Sequence, residues 1–87
     1  MHAVIVDVSI SDVEQARQEL RERVVPMVSQ VPGFISGFWI EAGPGKGHSV
    51  VIFESEHAAK GMAQQVRSIP TRVTIENVHV GEVVAHA

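Results

Sequence analysis

Cysteine is absent from the 87 residues. That removes disulfide staples, zinc–thiolate centres and thiol nucleophiles, and a small secreted scaffold without disulfides is not expected. Basic residues are scarce: Lys plus Arg number 7 against 10 for Asp plus Glu, a net charge of −3. The basic footprint of a nucleic-acid binder is therefore missing. No apolar run exceeds a few residues, so no membrane-spanning helix is expected. The start Met1-His2-Ala3-Val4 lacks a charged n-region and a long apolar core, and no signal peptide is expected. These absences describe a soluble cytoplasmic domain with neither nucleic acid nor membrane as partner.

What is present is an ordinary globular composition, 45% hydrophobic and 20% charged, which argues against disorder. The length bounds the chain to one domain, residues 1–87. A domain of this size buries only about 60–65% of its unfolded surface, so its core alone is marginal.

Alternation places a first strand over His2–Ile10, with Val4, Val6, Val8 and Ile10 on one face and Ala3, Ile5, Asp7 and Ser9 on the other. Ser11-Asp12-Val13-Glu14 reads as a capping box. A helix follows over about Asp12–Gln30, with Val13, Ala16, Leu20, Val24, Met27, Val28 and Val31 at helical spacing. Pro26 inside it predicts a kink or break near Val25, and Pro32-Gly33 ends it. Phe34–Ala42 is a second strand, Gly43–Gly47 a turn-rich hairpin loop, and His48–Glu54 a third strand, apolar on both faces. Ser55 can cap a second helix over Glu56 to about Ser68, with Ala59, Met62, Ala63 and Val66 as its stripe. Ile69-Pro70-Thr71 is a connection, and Arg72–Ala85 is a fourth strand, bent near Gly81.

The order is βαββαβ, the ferredoxin-like α+β arrangement: a four-stranded antiparallel sheet with two helices on one face. Two helices cover one face only, yet strands one and three are apolar on both. A bare apolar sheet face of several hundred Å² is rare on monomers. The pattern therefore predicts a homodimer whose sheets pack face to face.

The segments Val31-Pro32-Gly33-Phe34-x-x-Gly37-Phe38-Trp39 and Val50-Val51-Ile52-Phe53-Glu54-Ser55-x-x-Ala58-Ala59 make the chain similar to the antibiotic biosynthesis monooxygenase-like family of the dimeric α/β-barrel superfamily. The likeness runs through Val80-Gly81-Glu82-Val83-Val84-Ala85. It implies a dimeric α/β barrel, a cavity between sheet and helices, and oxidation of a small aromatic substrate without a cofactor. Such an analogy fixes fold better than chemistry. Haem-degrading members of the superfamily use a first-strand Asn, a Trp near the end of strand three and an iron-ligating His on or after helix two. Here the matching positions hold Asp7 and Phe53, and no histidine lies between Ala58 and Arg72, which disfavours haem degradation.

Asp7 interrupts an apolar strand, where a carboxylate needs a partner or water. It is either a catalytic base facing a pocket or a strand-end carboxylate that reaches solvent or an arginine. His79 has its direction fixed by strand four and is the histidine best suited to acid–base work; an interface or surface imidazole is the alternative. Ser9, Trp39, Phe53 and Met62 are candidate pocket residues, with Trp39 able to stack on a planar ligand or to serve as packing. The five histidines show neither i, i+4 helical nor H-x-H strand spacing, so no metal site is predicted within one chain. The rival to an oxygenase is a non-catalytic ligand-binding or structural homodimer.

Overall fold

The computed structural model describes residues 1–69 and 73–87. Four strands form one antiparallel sheet: β1 (His2–Ser9), β2 (Phe34–Glu41), β3 (Lys46–Phe53) and β4 (Thr74–Glu82), in the order β2-β3-β1-β4. The two strands that read as apolar on both faces, β1 and β3, take the centre, where both edges of each strand are paired. Val4 of β1 sits opposite Val51 of β3 and Val80 of β4. This is the ferredoxin-like arrangement expected from the alternation. Arg72, where the fourth strand was expected to start, lies outside the described residues, as do Pro70 and Thr71.

The first helical region is less regular than its apolar spacing suggests. It runs as α1 (Val13–Glu19), a π-helical turn (Leu20–Val24) and α2 (Val25–Ser29). Pro26 explains the middle piece. Its nitrogen carries no hydrogen, and its ring would crowd the carbonyl four residues back. The turn widens before it, so that the Val25 N–H reaches the Leu20 carbonyl. Pro26 then falls in the first turn of α2, where a missing N–H costs little. The helix thus widens where a kink or break was expected. The N-cap is Asp12 rather than Ser11: an Asp12 carboxylate oxygen accepts the Gln15 N–H at 3.1 Å. Asp12 is one residue closer to the first helical turn, and its extended backbone aims the carboxylate at that amide.

The second region follows the sequence pattern. Ser55 caps α3 (Glu56–Gln65) through the Ala58 N–H, and a 3₁₀ turn continues over Val66–Ser68. Gly33, at φ +90°, makes the turn from α2 into β2, and its carbonyl accepts the Glu54 N–H at 2.8 Å. Only a residue without a side chain is comfortable at that angle. The bend expected near Gly81 lies elsewhere. The β1–β4 register slips between Asp7 and Val8, because Glu76 is an extra residue between the partners Ile75 and Asn77.

Both helical regions pack on the face carrying Val4, Val6, Val51 and Phe53, and Val28, Ala59 and Met62 complete the core. Phe53 is fully buried and meets Phe34 edge to face, with ring centroids 6.3 Å apart. No helix among the described residues is long and apolar enough to cross a membrane.

Candidate functional site

A cavity of about 360 Å³ opens between the sheet and the first helical region. That volume lies toward the small end of the roughly 300–1,000 Å³ range of small-molecule sites. Its floor is Val6 and Val8 of β1, Gly47 and Ser49 of β3 and Trp39 of β2, and its roof is Val13, Ala16, Leu20 and Val24. The π-helical turn supplies two of those roof residues, so the proline-driven widening shapes this wall.

Two glycines leave room here. A side chain at Gly47 would begin 2.9 Å from Val8 Cγ2 and 3.1 Å from Ile10 Cδ1. One at Gly37 would begin 2.8 Å from the Trp39 ring. The indole therefore lies back along its own strand, over the bare Cα two residues earlier on the same face.

The polar groups at the cavity are few. Glu19, at the end of α1, is the one buried charged side chain among the described residues and lines the wall. Arg17 and Glu41 join α1 to the end of β2 at the rim, with Nη2 and Oε1 2.6 Å apart. The hydrogen bond to Glu41, and then the attraction between the two charges, raise the Arg17 pKa above its ordinary value. Glu14 lies 3.6 Å from the same guanidinium.

The six candidates from the sequence separate across the sheet. Trp39 lines the cavity. Phe53 and Met62 share its face but are buried in the core beside it. Asp7, Ser9 and His79 point to the opposite face, which no helix covers. Asp7 and His48 form a close pair there, Oδ1 to Nδ1 2.5 Å. Asp7 thus reaches the cavity only through His48, which borders it at the strand end. Ser9 Oγ accepts from Lys46 Nζ at 3.4 Å, and Lys46 also meets Glu76 at 3.3 Å. Hydrogen bonds from Ser9 and Lys46, with the Lys46 charge, hold the Glu76 carboxyl below its ordinary value. His79 stands opposite Ile5 on β1. No group of three or more metal-ligating side chains occurs among the described residues.

Glu19 is the cavity residue that the sequence pattern hid. It sits in sequence among Glu14, Arg17, Gln18, Arg21 and Glu22, a run of charged and polar residues of the kind that fills a solvated helix face. Its i+3 relation to Ala16 and its place beside Leu20 are the signals that would have found it.

The sequence matches no protein-family model and no curated protein. Solved structures do match. HapK from Hahella chejuensis superposes over all of this chain and 96% of its own, with a TM-score of 0.74 and 16% identity. The two chains have one fold. A monooxygenase from the gene ActVA-Orf6 of Streptomyces coelicolor, solved with nanaomycin D, matches over 99% of this chain and 90% of its own, with a TM-score of 0.62 and 16% identity. The ferredoxin-like fold expected from the βαββαβ order is thus that of a known monooxygenase.

Proposed function

We propose that this protein is a homodimeric oxygenase that takes a small, mainly apolar phenolic molecule into the helix-face cavity and oxidises it with dioxygen. The observation that carries this reading is a largely apolar cavity with one indole and one buried carboxylate in its wall. Trp39 offers a flat partner for an aromatic ring. Glu19 is the buried carboxylate in the same wall and is placed to take up the phenolic proton, which leaves an electron-rich phenolate. The phenolate is itself the reductant, so the chemistry requires no bound cofactor. The overall step is ArH(OH) plus O₂ to quinone plus water: one oxygen atom forms a new C=O, the other leaves as water, and the ring loses two hydrogens. The monooxygenase of the same fold supports this reading by analogy of architecture.

The homodimer is supported by the uncovered sheet face. Phe38 (61% exposed), Ile40 (50%) and Ile5 (37%) present large apolar side chains there. A second copy laid on this face would bury them and enclose Asp7, His48 and His79 at the interface.

Oxygen uptake with a panel of phenols and hydroxynaphthalenes tests the reading. The expected result is quinone formed in step with oxygen consumed, reduced at least about a hundredfold by Glu19→Gln, the usual scale for a lost acid–base group. Ligand binding without oxygen uptake would leave a non-catalytic binding protein instead.

A further inference from the structure

We infer that Gly37 sets the size of ligand the cavity accepts, by fixing where the Trp39 indole lies. The inference rests on the cavity being the ligand site, and goes one step further, to a residue outside its lining.

Three observations combine. A Cβ built on Gly37 falls 2.8 Å from Cη2 and 2.9 Å from Cζ3 of Trp39. Real Cβ atoms do not approach ring carbons so closely, so any other residue at position 37 would force the ring to move. Phe34 Cε2 lies only 3.6 Å from the same point. Phe34 packs against the fully buried Phe53, and this aromatic pair blocks retreat along the strand. Trp39 also lines the cavity, so the empty volume next to the ring is the cavity itself.

Gly37 has no backbone reason to be glycine. Its φ is not positive, and it lies within β2 opposite Val51, where glycine weakens a strand by entropy and lost packing. Close approach of a ring is the remaining reason. The benzo edge of Trp39 occupies the space a side chain would take, and the strand gives up stability to leave the cavity deep. Gly37 is thus a positioning residue that acts through Trp39. With alanine there, the indole tips into the cavity and shortens it by part of a ring.

The test uses the full chain with Gly37→Ala, Trp39→Phe and the double variant, with phenol and 1-naphthol as one-ring and two-ring probes. Trp39 is the only tryptophan, so its emission spectrum and indole N–H resonance report ring position without ligand. In Gly37→Ala both signals should move. 1-Naphthol affinity should fall at least about tenfold, a common scale for small changes in pocket volume, while phenol affinity changes less than about threefold. The smaller ring of the double variant should restore 1-naphthol binding to within about threefold of Trp39→Phe alone. Unchanged indole signals, equal losses for both probes, or no rescue would overturn the inference. If Gly37→Ala does not fold, Trp39→Phe alone still decides: it should strengthen binding of 1-naphthol relative to phenol, and an unchanged ratio overturns the inference. Failure of wild type to bind either probe would instead refute the cavity as ligand site. Displaced indole signals in Gly37→Ala would then uphold the glycine's hold on the ring and overturn its role in ligand size.

Discussion

The two faces of the sheet are built from the same four strands and are chemically unlike. On the helix face Val4, Val6, Val51 and Phe53 are buried, and the space left over is a cavity with one buried carboxylate. On the other face Ile5, Phe38 and Ile40 stand exposed beside the hydrogen-bonded pair Asp7–His48 and the salt bridge Lys46–Glu76. One face has its apolar surface covered within the chain; the other has the same kind of surface without a cover. A strand pattern alone does not distinguish them, because alternation sorts residues into two faces without saying which one the helices take.

The largest expected effect breaks the buried face. Phe53→Ala should cost about 3–5 kcal/mol, the range for a fully buried aromatic, read as the loss of urea midpoint. For an 87-residue domain that approaches the whole stability, so partial unfolding in water is part of the expected result. The counterpart on the open face is Phe38→Asp. It should convert a dimer into a monomer in sedimentation runs at micromolar concentration while helix and strand signals in circular dichroism persist. A wild type that sediments as a monomer would remove the second copy from the account of this face.

Glu19→Gln sharpens the contrast from the cavity side. Glutamine keeps the shape of the carboxylate and loses its proton affinity, so turnover should fall while the fold, read by thermal melting, stays cooperative. Asp7→Asn should leave the rate per folded chain nearer to wild type, since Asp7 does not line the cavity and its partner His48 borders it. Equal losses at both positions would erase the division of labour between the faces.

The smallest effect concerns acid. Glu76 is held below its ordinary value of 4.5 in the fold by Ser9 and Lys46. Its contribution to stability is therefore present above pH 4.5 and lost as pH falls through the lower, folded value. Glu76→Gln should flatten the acid side of a stability profile slightly. Water screens this exposed network, so a steep effect would show that the open face is covered in solution.

Much of this was legible in the residues. The alternation of β1 put Asp7 with Ile5 and Ser9, away from Val4 and Val6, and the structure keeps that division. Ser55 capped its helix as its position promised. What stayed hidden depended on contacts distant in sequence. Whether Asp7 or Val6 faces the helices is decided by how the crossovers fold back. Glu76 became the bulged residue because β4 must match Asp7 at one point and Val8 at the next. Glu19 went unmarked because the sequence does not display how the turn before Pro26 widens. Trp39 was recognised as a ring that could stack, but its dependence on Gly37 is a matter of tenths of an ångström.

The widened turn has one further consequence. A π-helical turn is an α-helix that holds one residue more than it needs. Deleting a single residue between Leu20 and Val24 would let the helix run on as ordinary α with the later positions kept in phase, because the wide turn already absorbs the extra residue. Val28 would stay buried and Met27 exposed, and the change would fall on Leu20 and Val24 in the cavity roof. The segment therefore behaves like a slack link, and a homologue lacking one residue here would keep its core and differ only in the roof of the cavity.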